Sequence, residues 1–364
     1  MASGSDSYKL VELTEAREFI ERCIESVGTK PKHATALAEV LVMADYRGHY
    51  SHGMNRLEMY VDDIKRGTSV SDKEPTVVKE TVATGYVDGG NLLGPVVGKF
   101  CMELAIKKAK EAGIGWVVAN GSNHYSIAGW YSMMAVEQGL LGMSFTNTSP
   151  LVVPTRAKQC LLGTNPISCA APAKDGDSFV LDMATSAVAV GKVELCDRKE
   201  SSIPNGWGVD AKGKQTNDPK AVLNGGGLLP LGGTEESSGY KGYGLGMMVE
   251  VFCGIMANGE FGPNIRKWRD AERVANLGQC FVAIDPGAFA PGFEDRMQRM
   301  MDICRSQEPA EGEMEVLVPG DPERKHMKKV EDEGGLQYHT NLIKALDVLA
   351  SELKVEKIKT KSIV

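Results

Sequence analysis

The sequence lacks a long apolar run, because no stretch reaches the roughly 18 residues that a membrane span needs. Residues 1–7 are rich in Ser and Gly and have no apolar core, which is not typical of a signal peptide. Runs of Lys and Arg with interleaved aromatic residues are also missing, and the net charge is -7. We therefore expect a cytoplasmic protein with neither a membrane segment nor a nucleic-acid partner.

Cysteine pairs of the form C-x-x-C are absent. The eight cysteines are scattered at Cys23, Cys101, Cys160, Cys169, Cys196, Cys253, Cys280 and Cys304. Zinc sites and disulfide frameworks need closer, regular spacings, so this pattern predicts reduced thiols. A metallohydrolase site at His49 and His52 is an alternative, but this pair has no obvious third ligand at a suitable spacing. We predict no metal site.

Two nucleotide-binding fingerprints are missing as well. A Rossmann site needs G-x-G-x-x-G after a strand, and the nearest match, Gly242-Tyr243-Gly244-Leu245-Gly246, has the wrong spacing within an apolar helical pattern. Packing between helices explains these glycines better. No phosphate-binding P-loop is present either, so any nucleotide must be held in another way.

The elements that are present indicate an α/β protein. A chain of 364 residues with 42% hydrophobic residues can bury a large core and suggests about two domains. Helical spacing of apolar residues predicts helices at 14–28, 34–46, 94–112, 127–138 and 241–257. Short apolar runs predict strands at 76–79, 84–87, 114–119, 141–147, 167–171, 179–182 and 279–284. Residues 315–353 predict a strand ending at Pro319-Gly320 and then two helices.

The most informative segment is 47–60, where His52, Arg56 and Tyr60 recur every four residues. This spacing places them on one stripe of a helix that ends near Gly67. Arg offers two donors that match a carboxylate, and a His near neutrality can exchange a proton. The stripe predicts a site for a small 2-oxo or 2-hydroxy acid. Alternatively, His52 only caps the helix, and Arg56 and Tyr60 form a solvated face.

Three loops rich in small polar residues follow predicted strands, at 120–126, 147–150 and 162–166. Backbone amides in such loops can face a phosphate or an amide. Ser126 is positioned to cap the helix that follows, either as an ordinary cap or at the end that receives a pyrophosphate. His124 is either a second functional imidazole or a residue that hydrogen-bonds within its loop.

Two charged residues extend the candidate list. Asp182 ends an apolar strand, and a buried carboxylate there needs a partner. It either orients a catalytic imidazole or accepts hydrogen bonds from amides of the next turn. Lys241 is either a phosphate or carboxylate partner or an exposed lysine at a helix start.

Several motifs together resemble the malate/L-lactate dehydrogenase-like oxidoreductases, which include malate, L-lactate, sulfolactate and ureidoglycolate dehydrogenases and some cyclic imino acid reductases. The motifs occur in order over most of the chain: Ser51-His52-Gly53 with Arg56, Asn123-His124-Tyr125, Gly163-Thr164-Asn165-Pro166, Leu181-Asp182-Met183-Ala184-Thr185-Ser186, Ile203-Pro204-Asn205-Gly206-Trp207, Gly239-Tyr240-Lys241-Gly242-Tyr243-Gly244-Leu245 and Val318-Pro319-Gly320. The family often has Phe where this chain has Tyr125.

The resemblance implies a non-Rossmann NAD(P)-binding fold with a mixed central sheet and a second, helical domain formed by both chain ends. The implied domains are 1–75 plus 310–364 and 76–309, in a homodimer that binds NAD or NADP. The implied reaction moves a hydride between nicotinamide and a 2-hydroxy or 2-oxo acid, either malate/oxaloacetate or L-lactate/pyruvate. The alternatives are a cyclic imino acid reductase and a non-catalytic cofactor-binding protein.

The residues assigned to this site fall into three groups. The catalytic residues are His52, His124 and Asp182, with both the neutral and the protonated imidazole expected near pH 7. The substrate-binding residues are Ser51, Arg56, Tyr60 and Thr148. The cofactor-binding residues are His124, Tyr125, Ser126, Asn147, Gly163, Thr164, Asn165, Pro166, Asp182, Met183, Ala184, Thr185 and Lys241.

Overall fold

The computed structural model describes residues 8–267, 270 and 272–363. The strands in chain order are β1 (Tyr8–Val11), β2 (Thr76–Glu80), β3 (Thr84–Asp88), β4 (Ile114–Ser122), β5 (Leu141–Thr146), β6 (Ile167–Pro172), β7 (Ser178–Met183), β8 (Gly208–Val209), β9 (Gly227–Leu228), β10 (Leu277–Ile284) and β11 (Leu336–His339).

The helices alternate with these strands. They are α1 (Leu13–Glu25), α2 (Pro31–Tyr46), α3 (Leu57–Lys65), α4 (Gly94–Ala112), α5 (Ala128–Val136), α6 (Val190–Arg198), α7 (Pro219–Leu223), α8 (Gly239–Glu250), α9 (Phe293–Arg305), α10 (Asp321–Glu333) and α11 (Thr340–Leu353). A π-helical turn, Val251–Ile255, continues α8.

A seven-stranded sheet organises the molecule, with strand order β2-β3-β4-β10-β5-β6-β7. The pair β3 and β4 is parallel, and the other neighbours are antiparallel, so the sheet is mixed as predicted. Strand β10 is buried along nearly its whole length because helices cover both sheet faces, which explains its continuous apolar sequence.

Helices α4 and α5 pack on one face of the sheet, and α8 with its π-helical turn packs on the other. On the first face, Val97, Ala105 and Phe281 belong to the main core. On the second, Val249 and Cys253 pack with residues of β5 and β10. Apolar residues at helical spacing therefore form the inner surface of each outer layer.

The two ends of the described chain lie together. Strand β1 pairs antiparallel with β11, and Leu10 also bridges to Lys361. One apolar core runs from Ile20 and Leu37 in the N-terminal helices to Val97 and Phe281 at the sheet. The division into domains 1–75 plus 310–364 and 76–309 stays a prediction.

The predicted strand that ends at Pro319-Gly320 is wrong. The Val318 amide donates to Asp321 Oδ2 at 3.0 Å, so it is not available for a strand ladder. A single backbone bond, from Val180 N to the Pro319 carbonyl, joins this segment to β7. The short strand β11 and helix α9 are elements that sequence patterns missed.

Candidate active site

The segment that carries His52 is a turn and not a helix, so the predicted helical stripe is wrong. A 3₁₀ turn covers Met54–Arg56, and α3 begins only at Leu57. The buried carboxylate of Asp45 explains the break, because its Oδ2 accepts a hydrogen bond from Met54 N at 2.8 Å. Gly53 packs against this carboxylate, and a side chain at position 53 would overlap Asp45 Oδ1.

The turn nevertheless brings the predicted residues together. The rings of His52 and His124 stack with centroids 5.9 Å apart and planes inclined by 18°. Ser51 Oγ lies 2.8 Å from His52 Nδ1, and Tyr60 Oη lies 2.6 Å from His124 Nδ1. We call Ser51, His52, Arg56, Tyr60 and His124 the histidine cluster. Tyr60 is buried, so the solvated-face alternative is wrong for this residue.

Arg56 sets the electrostatics of the histidine cluster. Its Nε donates to the Ser51 carbonyl oxygen at 2.6 Å, which fixes the plane of the guanidinium. Burial lowers the pKa of His52 to about 4, and the charges of Arg56 and His49 lower it too. Burial, His52 and Arg56 hold the pKa of His124 well below its usual range. These shifts favour the neutral imidazoles near pH 7, one of the two forms expected there.

Asp182 partners a helix and not an imidazole. Its Oδ2 accepts a hydrogen bond from Gly129 N at 2.6 Å, at the first turn of α5. Burial raises the pKa of Asp182, whereas the Gly129 bond and the charges of His49 and Arg47 lower it. The carboxylate thus accepts from an amide, but the amide belongs to α5 and not to the turn after Asp182. Its catalytic role stays a prediction.

Ser126 does not cap α5, which corrects the sequence-based expectation. The helix begins at Ala128, and its capping partner is Asp182. Ser126 has a left-handed backbone (φ 68°), and its hydroxyl donates to the His52 carbonyl oxygen at 2.8 Å. Ser126 therefore joins the two histidine loops.

The loop that carries His124 is held by a buried network that sequence analysis missed. Asn123 Nδ2 donates to Asp63 Oδ2 and Ser69 Oγ, each at 2.8 Å, and Asn123 Oδ1 accepts from His124 N at 2.8 Å. Arg266 completes the network with a buried ion pair to Asp63 at 2.7 Å. Because these partners lie far apart in the sequence, no local motif indicates them.

A second buried network joins two of the predicted cofactor loops. Asn147 and Asn165 are fully buried, and their Nδ2 atoms donate to opposite oxygens of Glu250, each at 3.0 Å. Asn147 Oδ1 accepts from Gly278 N, and Asn165 Oδ1 accepts from Thr148 N. Burial raises the pKa of Glu250, and the two amides lower it. We call Asn147, Asn165 and Glu250 the asparagine–glutamate cluster.

Thr148 and Thr164 interlock beside this cluster. Thr148 Oγ1 accepts from Thr164 N at 2.9 Å, and a side chain on Gly163 would overlap Thr148. Thr185 Oγ1 donates towards the Thr164 and Asn165 carbonyls, each at 3.1 Å. The end of β7 is thereby fastened to the loop at 162–166.

The remaining predicted cofactor residues differ in exposure. Pro166, Met183 and Ala184 are half-buried near the end of β7. Lys241 is exposed on the first turn of α8. Tyr125 lies in the core, where its hydroxyl is 3.0 Å from Ser144 Oγ and its ring stacks on Tyr131, so its side chain serves packing.

The described residues form neither a metal-binding group nor a membrane-spanning helix. No group of three or more His, Cys, Asp or Glu side chains in this part of the chain is arranged to hold a metal ion. Across the same residues, no helix has the length and apolar character needed to cross a membrane.

Comparisons with known proteins show the family and the fold. The malate/L-lactate dehydrogenase family model matches residues 11–347. The chain is 43% identical to malate dehydrogenase from Pyrococcus horikoshii over 304 residues, 83% of this chain and 84% of the relative. A solved structure of malate dehydrogenase from Pyrococcus horikoshii superimposes with a TM-score of 0.89 and 36% identity, covering 98% of each chain.

Two further relatives differ in the reactions their names state. Malate/(S)-sulfolactate dehydrogenase from Methanothermus fervidus is 38% identical, over 95% of this chain and 99% of the relative. A Delta(1)-pyrroline-2-carboxylate/Delta(1)-piperideine-2-carboxylate reductase from Pseudomonas putida is 33% identical, over 85% of this chain and 91% of the relative. With a family match over most of its length and a shared fold, the chain belongs to the malate/L-lactate dehydrogenase family of oxidoreductases.

Proposed function

We propose that the protein transfers a hydride between a nicotinamide nucleotide and a small 2-hydroxy or 2-oxo acid. The observation that carries the proposal is the stacked pair of imidazoles, His52 and His124, whose pKa values are lowered chiefly by burial and also by the charge of Arg56. A fixed cation beside two proton acceptors suits an acid substrate whose oxygen gains or loses a proton.

The residues near the end of β7 fit a nicotinamide nucleotide. Gly163 has no room for a side chain, and the half-buried Thr164 supplies a hydroxyl at the interlocked loop. Lys241, exposed on α8, provides a cation that can bind a phosphate. Asn165 connects α8 to the same loop, because its Nδ2 donates to the Gly246 carbonyl oxygen. Bound there as NAD or NADP, the nucleotide supplies or accepts the hydride.

Arg56 has the substrate-binding role in this proposal. Its guanidinium is oriented by the Ser51 carbonyl and can bind a substrate carboxylate, with Ser51 Oγ adding a hydrogen bond. The Tyr60 hydroxyl already contacts His124, so a direct contact of Tyr60 with substrate stays a prediction, as does one of Thr148. A bound carboxylate also offsets the positive charge that lowers the pKa of both histidines.

The neutral imidazoles act as bases in oxidation of a hydroxy acid. One of them takes the hydroxyl proton, for which its lone pair is ready throughout the neutral range. In reduction the same ring must first gain a proton, and neutralisation of Arg56 by the substrate carboxylate raises the pKa of the ring in that direction. His52 and His124 both meet this description.

Malate/oxaloacetate is the substrate pair that we favour, and L-lactate/pyruvate is the second. The name of the Pyrococcus horikoshii relative supports the first choice. A cyclic imino acid reductase is the alternative from a different class, because the Pseudomonas putida relative carries that name and an imino acid offers Arg56 the same carboxylate.

A substrate and cofactor panel tests the proposal. We expect oxaloacetate to give the highest kcat/KM when oxidation of NADH or NADPH is followed by absorbance, with pyruvate weaker. Reduction of a cyclic imino acid alone would favour the alternative. Cofactor binding without turnover of any of these acids would identify a non-catalytic protein.

We also propose a cytoplasmic homodimer. Support for self-association comes from exposed apolar side chains along α8 and its π-helical turn, at Met247, Val251 and Ile255. Light scattering on the purified chain tests this, and a mass equal to one chain would contradict it.

A further inference from the structure

The hydroxyl of Tyr60 lies between two atoms of one residue. Tyr60 Oη is 2.6 Å from His124 Nδ1 and 3.2 Å from the His124 carbonyl oxygen. A phenol has one hydrogen, and a carbonyl oxygen can only accept. Both contacts are satisfied together only when Tyr60 donates to the carbonyl oxygen and His124 Nδ1–H donates to Tyr60 Oη.

In a second arrangement, His124 Nδ1 accepts hydrogen bonds and does not donate one. The Ser126 N–H is 3.4 Å from His124 Nδ1, and a backbone amide can only donate. When Tyr60 also turns its hydrogen towards Nδ1, that nitrogen accepts, and the proton of the neutral ring lies on Nε2. The surroundings of Nδ1 thus accommodate two tautomers, which differ in the ring nitrogen that carries the proton and in the direction of the Tyr60 hydroxyl.

We propose that Tyr60 is a positioning residue that selects the tautomer of His124, an inference that rests on the proposed hydroxy acid oxidoreduction. With the hydroxyl turned to the carbonyl oxygen, the Nε2 lone pair is available to accept the proton of a substrate hydroxyl. In reduction the same arrangement runs in reverse: the imidazolium keeps Nδ1–H on Tyr60 Oη and gives its Nε2 proton to the substrate oxygen. The opposite tautomer presents no Nε2 lone pair to a substrate hydroxyl, so selection of the Nδ1–H form by Tyr60 serves both directions of the reaction.

The proton balance of the first arrangement is complete. The substrate O–H bond breaks, an Nε2–H bond forms, and the ring becomes an imidazolium. Nδ1–H then continues to donate to Tyr60 Oη, while Tyr60 donates to the His124 carbonyl oxygen. The charged ring thus has a hydrogen-bond acceptor in the Tyr60 hydroxyl.

The position of Tyr60 is fixed independently of substrate. Its side chain is buried within the main core, and burial raises the pKa of its hydroxyl, so it remains a phenol at neutral pH. Asp63, less than one turn further along α3, bonds Asn123, which accepts from the His124 amide. Helix α3 therefore holds both the hydroxyl and the loop that carries the ring.

The test compares Tyr60→Phe with the matched control Tyr131→Phe. Both changes remove one buried hydroxyl that contacts the same loop, since Tyr131 donates to the Tyr125 carbonyl oxygen at 2.7 Å, but Tyr131 touches no imidazole nitrogen in the described contacts. We expect kcat for Tyr60→Phe to fall about 10- to 100-fold, with KM for the acid within about threefold. Tyr131→Phe is expected to keep kcat within about threefold.

A substrate-free measurement addresses the tautomer directly. In long-range ¹H–¹⁵N spectra of the full-length enzyme, we expect the ring nitrogens of His124 to report an average of two tautomers. In Tyr60→Phe they should shift to the Nε2–H form, because the Ser126 amide still donates to Nδ1.

Three results would overturn the inference: unchanged ¹⁵N shifts in Tyr60→Phe, an equal loss of kcat in Tyr131→Phe, or a rise in KM with kcat intact. The spectra need no substrate, so they test Tyr60 separately from the substrate panel that tests the proposed reaction.

Discussion

The histidine cluster and the asparagine–glutamate cluster both draw on polar loops that follow strands of the central sheet. In the first, the imidazoles are half-buried and have strongly lowered pKa values. In the second, Asn147 and Asn165 are fully buried, and hydrogen bonds engage both polar atoms of each amide. Similar loops thus carry a proposed proton acceptor in one place and hold the fold together in the other. The difference lies in the partners that the fold brings to them.

Removing either imidazole should have the largest effect. We expect His52→Ala and His124→Ala each to lower turnover by at least about a hundredfold, because each removes a proton acceptor beside Arg56. His339→Ala is the matched control, since His339 caps α11 away from the cluster. Steady-state kinetics with melting curves separates chemistry from unfolding. Near-normal turnover in either variant would exclude that residue from proton transfer.

The second prediction concerns the asparagine–glutamate cluster. Glu250→Ala leaves one N–H of each of two buried amides without its acceptor, while the other N–H still donates to the Glu260 or Gly246 carbonyl, so we expect the free energy of unfolding to fall by about 3 kcal/mol. Glu250→Gln keeps one acceptor oxygen and should lose about half as much. Urea denaturation measures both. Unchanged stability with lost turnover would place Glu250 in the chemistry and contradict the structural role.

The two clusters also show what the sequence could reveal. Ser51, His52 and Arg56 lie within six residues of one another, so one local segment indicated their chemistry. Glu250 is 103 residues from Asn147 and 85 from Asn165, and it lies in a helix with an otherwise apolar pattern. Nothing local marks it as the partner of two asparagines, so the sequence assigns Asn147 and Asn165 to the cofactor alone.

For the fold too, local patterns predict some elements, and contacts between distant residues determine others. Buried strands such as β4, β5 and β10 are continuous apolar runs, and α4 ends at Gly113, whose left-handed backbone (φ 82°) suits glycine. The helix predicted across His52 failed because Asp45 takes the Met54 amide, a contact that four-residue spacing cannot reveal. The predicted cap at Ser126 failed because the carboxylate of Asp182, on strand β7, accepts the hydrogen bond from the first turn of α5.

The third prediction addresses the cation of the histidine cluster. Arg56→Lys keeps the charge but loses the planar fork and the Nε bond to the Ser51 carbonyl. We expect KM for the acid substrate to rise about tenfold, with KM for the nicotinamide nucleotide nearly unchanged. Varying each substrate in turn gives both constants. Equal weakening of the two would argue against a carboxylate site at Arg56.

The last prediction concerns acid stability, where buried groups act in opposite directions. His52 has a pKa of about 4 in the folded protein against 6.5 ordinarily. As pH falls through 6.5, the imidazole of His52 is protonated in the unfolded chain but not in the folded chain, so the free energy of unfolding decreases. Asp45 behaves in reverse. Burial raises its pKa from 3.8 to about 7, so its contribution is fully present below 3.8 and is lost as pH rises through 7.

Asp45→Asn separates these opposing contributions. The amide can still accept from Met54 N and the Tyr338 hydroxyl, which both bond Asp45 Oδ2 in the native protein, but it does not titrate. Between pH 7 and pH 4.5 the variant should therefore lose at least about 1 kcal/mol more stability than the native chain, because it lacks the Asp45 contribution, which grows as pH falls through 7. Urea denaturation across this range measures the difference. Parallel curves for the two proteins would show that Asp45 is already ionised at pH 4.5, and its burial would then have to be compensated by contacts other than these two hydrogen bonds.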